Sequence, residues 1–427
     1  MTIAVTHPLI DRLEPRLRRL DLPIRLRLHD GATIDLGAQP RIALDFRRRG
    51  LVRKLLRGDV DALGRAYVEG DLGVEGRIDD IIEIGIALAE RLKKFGWLFR
   101  AAKLLPRLRR SHTRASDAEW VGYHYDVSNE FFALWLGRRM VYSCAYFERG
   151  DEDIDTAQEQ KLDHICKKLG LRPGERLLDI GCGWGGLLEF AAENYGVRGV
   201  GVTISRNQYD NAAARIERRG LAGQVEIRLQ DYRDLTGEAE FDKIVSVGMY
   251  EHVGHANLPR YFAGLHRLVK PNGLVLNHGI TTTDPRGVSR GPAGGSFIDR
   301  FVFPGGELPH IAQVVRHLSQ QGFDVLDVES LRPHYAATLV RWVARLEAQR
   351  DRAIELAGEE RYRIWRIYMA GCAVAFARNW LSLYQVVCGK SGADGSLVRP
   401  WTRRHVYDGD PAPAMARSLD WACLGDL

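Results

Sequence analysis

The chain has 427 residues, 45% hydrophobic and 27% charged, which is enough for two or three soluble globular domains with sizeable cores. Its six cysteines (Cys144, Cys166, Cys182, Cys372, Cys388 and Cys423) form no Cys-x-x-Cys pair and no metal-ligand spacing. A disulfide scaffold and a zinc module are thereby set aside, and the thiols read as those of a reduced, cytoplasmic protein. The opening residues lack the apolar core of a secretory leader, and no apolar run approaches membrane-spanning length.

Residues 1–115 read as a small α+β domain. The stretch 23–36 alternates apolar and polar residues around Asp30-Gly31, a hairpin signal, and residues 41–46 supply a candidate third strand. Helical patterns follow over 47–57 and 78–94, with a glycine-rich stretch, 64–76, between them. The formal net charge of +6 is concentrated here: residues 41–57 hold seven basic residues against one acid, Asp45, and residues 100–114 hold six and no acid. Either run reads as a solvated face or as a contact for an anionic surface. Aromatic residues of the kind that stack bases are not interleaved, so nucleic acid is set aside. An anionic membrane surface, where each basic group adds about 1 kcal/mol, is the preferred partner. The stretch 95–110 mixes apolar and basic residues around Pro106 and suits a bilayer surface or a plain connector equally.

From about residue 116 to 392 strand and helix patterns alternate. Strands are expected at 176–180, 197–203, from 225, at 241–247, after the Pro271-Asn272-Gly273 turn and at 323–331, with helices between them and a further helical pattern over 339–387. Such alternation implies an α/β fold, a doubly wound parallel sheet covered on both faces with added helices. Residues 281–307 are too long for a simple connection and suggest a lid or substrate loop. Residues 393–427 read as an irregular tail.

The chemistry concentrates at the expected carboxyl ends of the strands, where such sheets bind ligands. Leu178-Asp-Ile-Gly-Cys-Gly-Trp-Gly-Gly186 runs from the first strand into a glycine cluster and a helix. Gly181, Gly183 and Gly185 allow a sharp turn and close backbone approach, and the helix dipole faces the ligand. The spacing also satisfies the dinucleotide fingerprint, but the second strand ends in Thr203 where a dinucleotide enzyme places an acid for the ribose. Asp179, two residues before the first glycine, can meet a cationic ligand. The pattern resembles the S-adenosylmethionine loop of doubly wound methyltransferases. After the third strand, Gln230-Asp231-Tyr232-Arg233 offers an acceptor for an adenine amino group and a ring to stack on it. Glu251 and His252 follow the fourth strand, and His278, in Leu276-Asn-His-Gly-Ile280, follows the fifth. Two titratable groups on adjacent strand ends favour a site over satisfied core residues. No third ligand at metal-like spacing joins them.

The ordered set Tyr142-Ser-Cys-Ala-Tyr-Phe147, the glycine loop, Gly201-Val-Thr-Ile-Ser205, Gln230-Asp-Tyr-Arg-Asp234, Val245-Ser-Val-Gly-Met249 with Glu251-His-Val-Gly254, and Phe303-Pro-Gly305 resembles the cyclopropane-fatty-acyl-phospholipid synthases. The stretch Ala66-Tyr-Val-Glu-Gly-Asp71 is similar to their long bacterial branch. The resemblance implies a class I methyltransferase (Rossmann-like) sheet, with S-adenosylmethionine as donor and bicarbonate as bound base. The implied reaction adds a methylene across the cis double bond of an unsaturated phospholipid acyl chain, on a peripheral protein of the inner membrane face. It leaves a homodimer open. It implies Glu251, His278, Tyr335, Cys144 and Ile280 around the bicarbonate, the last two mainly through backbone groups. For the cofactor it implies Tyr142, Ser143, Asp179, Gly181, Cys182, Gly183, Gly185, Thr203, Ile204, Ser205, Gln208, Asp231, Tyr232 and Arg233.

Physical reasoning agrees with that chemistry. An alkene is a poor nucleophile and needs in-line positioning without water. Methyl transfer leaves a carbocation, for which Tyr125, Phe147, Tyr250, Phe301 and Phe303 are candidate aromatic faces. Ring closure then requires a base within reach. Three alternatives stay open: a fatty-acyl C-methyltransferase giving a branched product, a small-molecule N-methyltransferase, and a catalytically inactive lipid-binding protein.

Overall fold

A computed structural model describes residues 17–56, 59–95, 128–286 and 307–408, which fall into two compact units. In the first, strands β1 (Ile24–Leu28), β2 (Thr33–Asp35) and β3 (Ile42–Phe46) precede helices α1 (Leu51–Leu56) and α2 (Val60–Val68). Strand β4 (Leu72–Glu75) and helix α3 (Ile78–Phe95) follow. The sheet order is β2-β1-β3-β4, with the expected hairpin antiparallel and β3 parallel to β1. The alternation read from the sequence puts Ile24, Leu26, Ile34 and Phe46 into the core. The glycine-rich stretch is more regular than its composition suggests, since Asp59 caps α2 by accepting from the Ala62 amide, and the helix runs through Gly64.

Residues 346–374 belong to this same unit. Arg363 donates to the carbonyl of Tyr67 at 3.1 Å, and Arg366 reaches the Tyr67 hydroxyl at 3.3 Å and Glu347 at 2.7 Å. Two arginines of the basic run 41–57 are ion-paired with acids inside the unit. Arg41 pairs with Asp80 at 2.7 Å, Arg48 with Asp71 at 3.1 Å, and Arg47 donates to the Gly70 carbonyl. The run 100–114 lies outside the described residues.

The second unit opens with α4 (Asn129–Leu136), capped by Ser128, and α5 (Ile154–Leu169), capped by Asp153 and ended by Gly170 in the left-handed conformation. Then come β5 (Arg176–Ile180), α6 (Gly186–Tyr195), β6 (Arg198–Thr203), α7 (Arg206–Arg218), β7 (Val225–Leu229) and β8 (Phe241–Val247). They are followed by α8 (Tyr250–Val253), α9 (Leu258–Leu268), β9 (Val269–Thr282), α10 (Ile311–Gln320) and β10 (Phe323–Ser330). Helices α11 (Arg332–Ala348) and α12 (Arg350–Ala377), strand β11 (Leu381–Lys390) and α13 (Arg404–Tyr407) complete it. Of these, the 346–374 portion of α11 and α12 sits in the first unit, and α12 is broken at Gly358.

The seven strands are ordered β10-β11-β9-β8-β5-β6-β7. Strands β9, β8, β5, β6 and β7 are parallel, as the alternation predicts. The winding reverses between β5 and β8, which places the glycine turn at the switch point where such sheets open a crevice. One expectation is corrected: the helical pattern over 339–387 ends early, and residues 381–390 form β11, antiparallel to both β9 and β10. The run Leu-Ser-Leu-Tyr-Gln-Val-Val-Cys is almost continuously buried. A strand buried on both faces shows no period of two and is not separable from a buried helix by pattern.

Candidate active site

The glycine turn is built as its spacing predicts. Gly181, Gly183 and Gly185 all have positive φ, at 79°, 56° and 77°. A Cβ on Gly181 would lie 2.6 Å from Cγ of Met249, whereas one on Gly183 would meet nothing within 4 Å. The turn is thus packed on one side and open on the other. On the open side is a cleft lined by Tyr142, Ser143, Asp179, Gly181, Cys182, Gly183, Thr203, Ile204, Gln208, Asp231, Tyr232 and Arg233. These are all the cofactor residues expected from the sequence except two with local duties. Gly185 is the left-handed N-cap of α6, and Ser205 caps α7 by accepting from the Gln208 amide.

Inside the cleft several side chains are already held. Thr203 Oγ1 donates to the side-chain oxygen of Gln208 at 2.9 Å and accepts from the Ser205 amide. Asp231 is engaged by the guanidinium of Arg233 at 2.6 Å, and the Tyr232 ring stands edge-on to Tyr261. Asp179 is buried at the end of β5. Burial raises its pKa to about 7, against the pull of the nearby Lys161 ammonium.

The second group of expected residues does not line this cleft. Glu251 stands on α8, one turn past the end of β8. Its Oε1 accepts the backbone N–H of Ile280 at 2.7 Å, while Oε2 is buried with no hydrogen-bond partner among the described residues. Burial raises its pKa to about 7, opposed by the Ile280 hydrogen bond. His278, on β9, is buried and its pKa is held well below the ordinary value by desolvation and then by Lys161. Its Nδ1 meets the side-chain amide of Gln385 at 3.2 Å, and its Nε2 is buried without a partner among the described residues.

A path of backbone contacts ties the rest to these two. Ile280 pairs in register with Leu383, whose carbonyl accepts from Leu331 at 2.9 Å. The Leu331 carbonyl accepts from the Tyr335 amide at 3.1 Å and faces the Cys144 thiol at 3.8 Å. Cys144 is fully buried, which pushes its thiol pKa up, so it is neutral and no nucleophile. Tyr335 lies in the first turn of α11, its ring against Phe376 and edge-on to Trp342. Ile280, expected to offer backbone groups to the anion, gives its N–H to Glu251.

Of the candidate aromatic faces, Tyr125, Phe301 and Phe303, and most of the 281–307 loop, lie outside the described residues. Phe147 has the Arg341 guanidinium over its ring at 4.4 Å, and Tyr250 is buried against Gly279. Sequence reasoning overlooked two residues. Gln385 sits on the strand misread as helix. Lys161 falls on the buried face of α5 with Ala157, Leu162 and Ile165, and a lysine at a core position was the available signal. Among the described residues no group of His, Cys, Asp and Glu is arranged to hold a metal ion, and no helix is long and apolar enough to cross a membrane.

Comparison with known proteins agrees with this geometry. Residues 112–386 match the family model described as mycolic acid cyclopropane synthetase, and residues 17–94 match a domain of unknown function. A Pseudomonas putida protein named probable fatty acid methyltransferase is 46% identical over 399 residues, covering 93% of this chain and all of the relative. The Escherichia coli cyclopropane-fatty-acyl-phospholipid synthase is 42% identical over 277 residues, 64% of this chain and 69% of the relative. The crystal structure of mycolic acid cyclopropane synthase CmaA1, complexed with SAH and CTAB, superposes with a TM-score of 0.61 at 39% identity, covering 64% of this chain and 98% of that one. The chain therefore belongs to the mycolic acid cyclopropane synthetase family and is an S-adenosylmethionine-dependent methyltransferase, of a family that transfers methyl or methylene groups to fatty acyl chains.

Proposed function

We propose that this protein adds a methylene across the cis double bond of unsaturated phospholipid acyl chains, closing a cyclopropane ring, with bicarbonate as the bound base. The observation that carries the reading is a pair of buried atoms with no partner among the described residues, Glu251 Oε2 just past the end of β8 and His278 Nε2 on the adjacent strand β9. Each such atom costs about 1–3 kcal/mol unless a partner arrives. A small oxyanion carrying one hydroxyl suits both: the imidazole edge donates to an oxygen, and the carboxylate accepts the hydroxyl. The open side of the glycine turn fits S-adenosylmethionine, which supplies a methyl group on a sulfonium. Bicarbonate, held by Glu251 and His278 with Tyr335 close by in the chain of contacts, supplies a base for the proton lost on ring closure.

The chain's own residues do the rest. Burial of Glu251, His278 and Cys144 keeps water from the neighbourhood in which a carbocation would otherwise be captured as an alcohol. The Ile280 amide fixes the Glu251 carboxylate, and Gln385 fixes the imidazole, so neither reorients during the reaction. The neutral Cys144 thiol offers no competing nucleophile. The CmaA1 complex with CTAB, a detergent with one long alkyl chain, supports an elongated apolar substrate. The basic run 100–114 supports a peripheral position on an anionic membrane face.

Mass spectrometry of lipids from cells expressing the chain tests this directly. Acyl chains should gain one methylene and lose their double bond. A product methylated on a headgroup nitrogen would sink the reading. A second reading, a methyl-branched product, is favoured by the name of the Pseudomonas putida relative. It predicts the same mass shift but a methyl-bearing chain that keeps a double bond and still takes up hydrogen, because the cation loses its proton to re-form an alkene.

A further inference from the structure

Lys161 is a cation that the reaction outlined above does not use. It lies on the buried face of α5, 1% exposed, and lines the same cleft as the glycine turn. Its ammonium donates to Ser143 Oγ at 3.0 Å, and no carboxylate among the described residues lies within ion-pair distance of it. Gln158, on the same helix face, donates to the Ser143 carbonyl at 2.9 Å, so α5 holds the Tyr142-Ser143 segment from behind. Desolvation lowers the Lys161 pKa to about 8, opposed by the neighbouring Asp179 carboxylate.

A buried ammonium with one hydroxyl partner has unused donors and an uncompensated charge, which is costly unless an anion arrives. The donor of this reaction carries such an anion at its amino-acid end, next to an ammonium. Asp179 and Lys161 line one cleft as a buried acid and a buried base that are not joined to each other in an ion pair. Their arrangement matches a zwitterion, with Asp179 toward the ligand's ammonium and Lys161 toward its carboxylate.

We propose that Lys161, together with the Ser143 hydroxyl that it polarises, is the carboxylate-recognising element of the cleft, selecting sulfonium or thioether ligands with an intact α-carboxylate. The assignment rests on the cleft being the S-adenosylmethionine site. It makes Lys161 a binding residue, and it explains why a lysine occupies a core position on α5.

The test is calorimetric titration of the full-length protein with S-adenosylhomocysteine and with its decarboxylated analogue, S-adenosyl-3-thiopropylamine. The wild type should prefer the carboxylated ligand by at least about tenfold, the scale of one charge-assisted hydrogen bond. In Lys161→Met that preference should collapse to within about threefold, through weaker binding of S-adenosylhomocysteine alone. Lys161→Gln, neutral yet able to keep a hydrogen bond to Ser143, is the second variant should the first not fold, and it should lose the preference likewise. A wild type that binds both ligands equally, or a variant that keeps the preference or weakens both ligands alike, overturns the proposal. Failure of the wild type to bind either ligand would instead overturn the assignment of the cleft itself.

Discussion

Gln385 lies directly across from His278 in the β9–β11 register, and its side-chain amide meets Nδ1 of the imidazole at 3.2 Å. The two residues are 107 positions apart in the chain. An amide N–H given to Nδ1 leaves the ring proton on Nε2, the nitrogen that has no protein partner among the described residues. Gln385 is therefore positioned to set which nitrogen of His278 donates toward the proposed anion.

Gln385→Glu reverses that instruction, because a carboxylate draws a proton onto Nδ1. We expect turnover to fall about 100-fold, in the range for a misplaced proton donor or acceptor. Affinity for S-adenosylhomocysteine should stay within about threefold, because neither residue lines the cofactor cleft. Equal losses in kcat and in cofactor affinity would place the pair in the cofactor site instead.

Glu251→Gln should abolish most activity while leaving the fold at least as stable, with a signed pH dependence. The folded pKa of Glu251 is raised to about 7 from an ordinary value of 4.5. Below the ordinary value the acid is neutral in both states and its burial is fully tolerated. As pH rises through about 7 the folded protein must ionise a buried group, and that stability is lost. The stability of Glu251→Gln relative to wild type should therefore rise between pH 5 and pH 8, by roughly 1–3 kcal/mol. Urea midpoints at the two pH values check this, and a difference that is flat or falls with pH contradicts it.

Gly181→Ala meets two obstacles at once. Its φ of 79° is unfavourable for any residue with a Cβ, by about 1–2 kcal/mol, and the added methyl would fall 2.6 Å from Met249 Cγ. Cofactor binding should drop at least tenfold. Met249→Ala in the same chain relieves only the contact, so rescue should be partial. Full rescue would show that backbone strain at the turn is unimportant.

Vesicle association should depend on the basic run 100–114. Replacing Lys103, Arg107, Arg109 and Arg110 by Gln removes four of its six charges and should weaken binding to anionic vesicles by roughly 1 kcal/mol per residue. Raising salt to about 0.5 M should reproduce much of the loss, since exposed charges are screened within a few ångströms. Binding insensitive to both changes would remove electrostatics from membrane association.

The local signals in this chain determined a good deal. A strand, three spaced glycines and a following helix announce a ligand turn, because only that order satisfies the backbone at positive φ and aims amides at one point. Alternating periods announced the doubly wound sheet, and the equivalent ends of parallel strands pointed to Asp179, which lines the cleft, and to Glu251 and His278, which do not. What the tertiary structure alone decided is how those groups are charged and held. Leu381–Lys390 enters the sheet antiparallel, which no periodicity discloses for a strand buried on both faces, and it brings Gln385 to His278. Lys161, Ser143 and Asp179 come from three separate segments, and Glu251 is fixed by the amide of Ile280. Protonation and tautomer are set by burial and by partners distant in the chain, so they appear only once the packing is in place.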